Sequence, residues 1–170
     1  MRLFRSVALL AVLFALWTGA AAQLSLQVEI DGAVQRPTRL DATALAAFDA
    51  RQIGSFTQTR SGQGVETQST VRGVKLAALI ESAGLAVKGR NDWKTLVVTV
   101  TATDGYRALF SWPELTNTAS GDGVLVLFER DGKPLDDREG RIALMATGDR
   151  SLGPRYVRNL ARIEVRAVVD

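Results

Sequence analysis

The side chains available for chemistry in this sequence are limited by two missing residue types. The chain of 170 residues contains no cysteine and no histidine. Disulfides, a thiolate nucleophile, a haem attached through Cys-x-x-Cys-His and a zinc site of cysteine and histidine are therefore excluded. A Ser-His-Asp triad is excluded for the same reason. Chemistry based on carboxylate, lysine, tyrosine or hydroxyl groups remains open, as does the binding of an organic ligand.

The densest group of basic side chains lies near the carboxyl-terminal end of the sequence. Its members are Arg150, Arg155, Arg158 and Arg162, with Arg141 close by in the chain. Guanidinium groups bind phosphate, sulfate or carboxylate through paired hydrogen bonds. Backbone N–H groups in residues 151–153 can add further donors. The pattern predicts a site for a small anion, with Arg141, Arg150, Arg155 and Arg158 as its candidate ligands.

A second interpretation of this arginine cluster stays open. The same side chains can form a solvated face that is balanced by Asp149 and Glu164. We also predict a short helical turn within residues 148–160. Such a turn would place Arg158 and Arg162 on one helical face, because residues four apart are neighbours on a helix.

Asp104 and Tyr106 flank Gly105 and form another candidate site. A buried carboxylate can act as a general acid or base, so one hypothesis is an enzyme that works through Asp104. The structural alternative is that Asp before Gly builds a turn while Tyr106 packs with its hydroxyl bonded. The remaining loop carboxylates lack the spacing of a calcium loop, and the sequence predicts no metal site.

Residues 1–22 have the pattern of a secretory signal. Arg2 and Arg5 precede an apolar run at 7–17, and three alanines at 20–22 supply a small-residue cleavage site. Leu3 and Phe4 separate the two arginines, so the leader is not of the twin-arginine type. We expect export by the general secretory route to the periplasm or cell envelope, with no membrane span after cleavage. An uncleaved anchor is the alternative.

The net charge argues against nucleic acid as a partner. The whole chain has 21 basic and 18 acidic residues, a net charge of +3. Loss of Arg2 and Arg5 with the leader reduces this excess to +1. A nucleic-acid footprint needs a strong positive surplus on one face.

Hydrophobic periodicity predicts a β-rich chain with a few short helices. Asp41 is placed to cap a short helix over 42–49, and Gly84 ends a clearer one over 74–83. Ser111 and Glu114 fit a reciprocal capping box, and Asp31-Gly32 has the composition of a hairpin turn. The predicted strands are 23–30, 33–39, 53–60, 65–71, 94–101, 106–110, 124–129, 141–147 and 161–169. Residues 23–170 are thus predicted to be a single mixed α/β, β-rich domain.

Four segments in sequence order carry a family resemblance. RGVKLAALIESAG at 72–84 matches a Gly-Val-x-Leu helix that ends in Ala-Gly, and TATDGYRALFSWPEL at 101–115 matches an Asp-Gly-Tyr turn with a following Glu-Leu helix. ERDGKPLDDREGRIAL at 129–144 is similar to an Asp-Gly-x-Pro-Leu hairpin, and GPRYVRNLARIEV at 153–165 to a closing Arg-x-Val-Arg-x-Leu segment. Together they resemble the sulfite-oxidase-type molybdopterin-binding oxidoreductase domain over nearly all of residues 23–170.

The resemblance implies a groove that in catalytic members holds a molybdenum–pterin cofactor. It places Arg155 and Arg158 near the cofactor phosphate. It also implies a metal-binding cysteine upstream of the Gly-Val-x-Leu helix, within 56–64, where this chain reads FTQTRSGQG. Threonine cannot replace the thiolate, because its neutral hydroxyl is a hard, weak ligand. The candidates to line this part of the groove are Thr57, Thr59, Arg60 and Gln63, together with Asp104 and Tyr106.

These observations lead to two main hypotheses besides the Asp104 enzyme. The first is an exported, cofactor-free relative of the sulfite-oxidase domain, without catalytic residues, that binds a small anion or docks on a membrane sensor or redox partner protein. The second is a molybdopterin-dependent oxidoreductase, or one subunit of it, with an unusual metal attachment.

Overall fold

Two packed sheets carry the chain in a computed structural model that describes residues 23–62 and 65–168. The predicted leader at 1–22 and Gln63 lie outside the described residues. The strand order of the first sheet is β2-β1-β10-β5-β6, and that of the second is β3-β4-β7-β8, with β9 also pairing with β7. Three short α-helices and two 3-10 helices, Asp92–Thr95 and Gly121–Gly123, complete the elements of the described residues. The predicted class, a single mixed α/β domain rich in strands, is confirmed.

The first sheet is mixed, because β1 runs parallel to β10 and the other neighbours are antiparallel. Its strands are β1 (Gln27–Gly32), β2 (Thr38–Asp41), β5 (Leu96–Ala102), β6 (Arg107–Ser111) and β10 (Leu160–Ala167). Val28, Val98 and Ile163 are fully buried on its inner face. Alternate residues of the edge strand β6 point to solvent, whereas β5 has no exposed residue along its length.

The second sheet contains the long hairpin that later forms one wall of the candidate site. Its strands are β3 (Ile53–Gly62), β4 (Val65–Lys75), β7 (Val124–Arg130), β8 (Lys133–Pro134) and β9 (Ala143–Ala146). Asp131 and Gly132 link β7 to β8 with φ angles of 51° and 74°. Asp-Gly tolerates this left-handed backbone, so the hairpin predicted at this dipeptide forms there.

β7 is buried on both faces. Val124, Val126 and Phe128 pack into the main core between the sheets, whereas Leu125 and Leu127 enter a second, smaller cluster on the opposite face. That cluster also contains Val71, Leu135, Ala143 and Met145, with Phe56, Leu152 and Tyr156 packed against it. The chain that covers this outer face therefore includes residues 152–156, which carry part of the candidate site.

The helices form where the sequence predicts but are shorter: the first ends three residues before its predicted end, and the second begins two residues after its predicted start. They are α1 (Ala42–Ala46), α2 (Leu76–Ala83) and α3 (Trp112–Asn117). Asp41 accepts a hydrogen bond from the Ala44 N–H at 2.8 Å, and Ser111 Oγ accepts one from the Glu114 N–H at 3.1 Å. The reciprocal half of the predicted capping box is wrong, because Glu114 directs its carboxylate to Arg155 instead.

Two further predictions of local structure are wrong. Asp31 and Gly32 do not form a tight hairpin turn; they extend β1 and pair with Glu164 and Val165 of β10. Residues 148–159 contain turns and bends and no helix. Arg162 lies in β10, where it forms an ion pair with Asp31 at 2.8 Å, so it does not share a helical face with Arg158.

Across residues 23–62 and 65–168, no helix is both long enough and apolar enough to cross a bilayer.

Gly32 provides a test of the parallel β1–β10 contact. Its φ is +84°, and a Cβ atom there would lie 2.1 Å from the Val165 carbonyl oxygen. Gly32→Ala is therefore expected to lower the free energy of unfolding by about 3 kcal/mol or more, measured by urea denaturation. Gly105→Ala is the matched control, because Gly105 has a φ of +87° with nothing within 4 Å of the added Cβ. It is expected to cost about 1–2 kcal/mol; equal losses would contradict the close contact.

Candidate functional site

A polar cleft of about 350 Å³ opens beside the outer face of the second sheet. The β3–β4 hairpin forms one wall, and the chain on either side of β9 forms the other. The lining residues are Gln58, Thr67, Ser69, Arg130, Asp136, Arg138, Glu139, Tyr156 and Arg158. The cleft thus combines three guanidinium groups with two carboxylates, an amide and three hydroxyl groups.

The alternation of side chains between the two faces of β3 and β4 decides which of them reach this cleft. Gln58 pairs with Ser69 across the ladder, and both line the cleft. Side chains alternate between faces along a strand, so Thr57 and Thr59 lie on the other face. The Thr57 hydroxyl lies 2.9 Å from that of Thr70 there.

Where the structure describes their side chains, the predicted groove residues of β3 lie away from this cleft. Thr57 and Thr59 do not line the cleft, and Gln58 between them does. Arg60 pairs with Thr67 in the ladder, while its side chain falls outside what the structure describes. The alternation in the sequence could have identified Gln58. It lies two residues after the apolar Phe56 and therefore on the same face of β3, and Phe56 packs on the second cluster.

A half-buried ion pair forms the base of the cleft. Arg130 donates to both carboxylate oxygens of Glu139, at 2.9 Å from Nε and 2.6 Å from Nη2. The same guanidinium donates to Ser69 Oγ at 3.0 Å and to the Tyr156 hydroxyl at 3.3 Å. Ser69 Oγ in turn donates to Asp131 at 2.9 Å. Because four acceptor contacts occupy Arg130, it serves as a structural link between β4, β7 and the β8–β9 connection.

Two other cations of the cleft have little or no compensation. Arg158 is exposed, and its guanidinium carbon lies 5.3 Å from the centroid of the Tyr156 ring. Within the described part of the chain, no carboxylate pairs with it. Arg138 is 92% exposed, and its guanidinium comes no closer than 4.0 Å to the carboxylate of Asp136. Asp136 itself accepts from the backbone N–H groups of Arg138 and Glu139. Arg138 and Arg158 are therefore the guanidinium groups available to a ligand.

Arg155, the central candidate of the predicted anion site, is already committed to two carboxylates. It donates to Glu114 at 2.8 Å and makes a bidentate contact with Asp149. Its guanidinium carbon lies 4.7 Å from the centroid of the Phe110 ring. The hydrogen bonds to Asp149 raise the pKa of Arg155 above its ordinary value, and the same bonds hold the pKa of Asp149 below 3.8. Arg155 therefore ties residues 149–155 to α3.

The other predicted anion ligands are dispersed. Arg141 donates to the Leu135 carbonyl at 3.0 Å and pairs with Asp137 at 2.8 Å. Arg150 is exposed and is not part of the cleft lining. Of the four candidate arginines, the structure brings only Arg158 into the cleft. Arg138, which sequence reasoning missed, joins it because the β8–β9 connection turns back across the sheet.

Asp104 and Tyr106 line a neighbouring cleft of about 330 Å³ that shares Tyr156 and Arg158 with the first. Asp104 is exposed in the turn between β5 and β6 and accepts from the Tyr106 N–H at 2.9 Å. The Tyr106 hydroxyl donates to the Pro154 carbonyl at 2.6 Å. This arrangement builds a turn and fastens residues 153–156; it does not provide the buried carboxylate that acid–base catalysis needs.

The donor set of the cleft does not fit a thiolate-bound molybdenum. The β3 position that faces the cleft is Gln58, whose neutral amide is a poor substitute for a soft anionic sulfur, and no cysteine exists elsewhere in the chain. Among the described residues, no cluster of three or more carboxylates could hold a metal ion either.

Comparisons with known proteins identify the fold alone. No family model and no curated protein matches the chain. A solved structure that does match is that of the sulfane dehydrogenase SoxCD from Paracoccus pantotrophus, with a TM-score of 0.59 and 18% sequence identity. The match covers 84% of this chain and 39% of that one, so this chain spans less than half of the neighbour's length. The two share a strand-rich α/β fold.

The ion pair between Arg155 and Asp149 predicts a loss of stability in acid. The pKa of Asp149 is lower in the folded chain than its ordinary 3.8, so its contribution is present above about pH 4 and is lost as the pH falls through the folded value. Asp149→Asn is expected to cost about 1–3 kcal/mol at pH 7 and to flatten the decline below pH 4. Urea denaturation at a series of pH values measures both effects.

Arg155→Ala supplies the control for this ion pair in a double-mutant cycle. In the Arg155→Ala background, Asp149→Asn is expected to change stability by much less, because its partner is already absent. Additive effects of the two substitutions would show that the pair is not coupled.

Proposed function

We propose that this chain is a cofactor-free binding or accessory module with a sulfite-oxidase-type fold. The four family segments and the fold shared with SoxCD support the relationship. The fold class alone leaves function open, because one fold hosts many activities. The missing thiolate and the neutral Gln58 at the cleft support a binding role over molybdenum chemistry.

The ligand that best suits the cleft is a small oxyanion or a molecule that carries one. The observation on which this proposal depends is that two exposed guanidinium groups of a polar cleft have little or no compensation: Arg158 pairs with no carboxylate among the described residues, and Arg138 approaches Asp136 no closer than 4.0 Å. Charge-assisted hydrogen bonds from guanidinium to phosphate, sulfate or carboxylate are strong and directional. The Gln58 amide offers a further donor and acceptor. The carboxylate of Glu139 does not oppose binding strongly, because Arg130 already neutralises it.

The place of action that we propose is the periplasm or cell envelope. The leader pattern at 1–22 supports export by the general secretory route, in which the chain crosses the membrane unfolded. A module that needs no cytoplasmic cofactor is compatible with that route. There it would sense or carry an anion, or present the bound anion to a membrane sensor or redox partner.

The anion cleft is tested by titrating phosphate and sulfate against the purified chain. We expect thermal stabilisation by either anion in the unaltered protein, because a ligand that binds only the folded state raises its stability. Arg138→Ala combined with Arg158→Ala is expected to weaken binding about tenfold or more, since charged hydrogen bonds contribute about 1.5–3 kcal/mol each.

Arg150→Ala is the matched control for this titration. It removes an exposed guanidinium from the connection between β9 and β10 without altering the cleft, so the anion response is expected to persist. An equal loss of anion stabilisation in Arg150→Ala would show that the effect reflects net charge alone. An unchanged anion response in the double variant would reject the cleft as the binding site.

The fold shared with a dehydrogenase supports one alternative, a molybdopterin-dependent oxidoreductase or a subunit of one. Metal analysis of protein purified from its native envelope separates the two functions. The binding module is expected to contain no stoichiometric molybdenum, and a value near one atom per chain would favour the oxidoreductase.

A further inference from the structure

β3 is an edge strand whose outer side is unpaired. It pairs with β4 along its full length of ten residues. Within the described part of the chain, no other strand or loop makes backbone hydrogen bonds to its opposite side. A row of free N–H and C=O groups of this length is a template for a further strand.

β3 is the longest edge strand of the described chain, and β9, also at an edge, has four residues and a bridge from Leu144 to Val157 on its outer side. β2 has four residues, two of them charged, and β6 has five residues. β8 has two residues and includes Pro134. β3 contains neither proline nor a carboxylate, and Arg60 is its one charged residue. Natural edges that avoid pairing are short, charged or interrupted by proline, so β3 has the features of an edge that is used.

We propose that β3 pairs antiparallel with β3 of a second copy of this chain. The second sheet of one copy would then continue into the second sheet of the other across a two-fold axis. Antiparallel pairing about Thr57 brings nearly all of the strand into register. It places Ser55 opposite Thr59 and Gly54 opposite Arg60. Hydroxyl-bearing residues then face one another, and the two Arg60 positions lie far apart along the strands. Opposed like charges, which destabilise a strand pair, are thereby avoided.

The neutral composition of β3 is compatible with pairing to a second copy of the same strand. In a two-fold interface every residue must be compatible with the same surface on the other protomer. The neutral centre of β3, SFTQT, satisfies this requirement without an added counter-charge.

The pairing would also complete the cleft. Gln58 lines the cleft from the edge strand, so this side of the cleft is bounded by no further strand of the described chain. In the register centred on Thr57, Phe56 of the second copy lies opposite Gln58. Directly opposed residues lie on the same face of a sheet, so the partner strand would extend this wall of the cleft. The dimer does not depend on anion binding and is tested without a ligand.

The first experiment measures the molar mass of the full purified chain by light scattering over a concentration series. A dimer in reversible equilibrium is expected. Thr57→Lys is expected to weaken it about fivefold, because the substitution places like charges directly opposite each other at the axis. Gln68→Lys adds the same charge one strand inward, on β4, and is expected to leave the dimer constant unchanged. Far-UV circular dichroism and thermal unfolding of both variants establish that the fold is retained.

The second experiment uses the absence of cysteine from the sequence. Thr57→Cys is expected to give a disulfide-linked dimer under mild oxidation, because a residue on the axis lies opposite its own copy. Gln68→Cys, on the same face but one strand away, is expected to remain reduced.

Three outcomes would overturn the proposal: a chain that remains monomeric throughout the series, a dimer that Thr57→Lys and Gln68→Lys weaken equally, or equal cross-linking of the two cysteine variants. A monomer whose β3 amides become protected from exchange only on binding a different protein would also overturn it, and would assign the edge to that protein.

Discussion

Burial of β7 on both faces is the constraint from which the candidate site follows. A strand that presents Val126 to one layer and Leu127 to another cannot leave either side in water without losing much of its hydrophobic stabilisation. The outer side must therefore be covered, and the connections that cover it include Leu135, Leu152 and Tyr156. Polar residues of these same connections line the cleft. The cleft is thus a product of the need to cover a second apolar face.

Ion pairing within the chain then determines which charges remain for a ligand. Arg130 and Arg155 are each paired with carboxylates and fix the connections on which Tyr156 and Arg158 lie. Half-buried charges need such partners, since desolvation without compensation is costly. Arg158 lies over an aromatic ring and has no such partner among the described residues. Burial and the proximity of acids therefore separate the arginines that act as structural ties from those that remain available to a ligand.

Residue types and local periodicity allowed much of the fold to be predicted. The alternation in β1 and β10, the Asp41 and Ser111 caps and the Asp131-Gly132 turn depend on interactions within a few residues, which the sequence displays directly. Asp31-Gly32 was misread because its partner strand, β10, lies some 130 residues away, and pairing at that separation leaves no local signal. The supposed helix before β10 failed for a related reason, since contacts with the second sheet decide the path of that segment.

The sequence by itself determined the chemistry that is open to this protein: a chain without cysteine or histidine has no thiolate for molybdenum and no imidazole for proton transfer. It also determined the β-rich class through its periodicity. Only the tertiary structure decided which arginines act as structural ties and which face a cleft, and that Gln58 rather than Thr57 or Thr59 lines it. The physical reason is that charge compensation and strand facing depend on neighbours that are distant in the chain, and folding alone brings those neighbours within hydrogen-bonding distance.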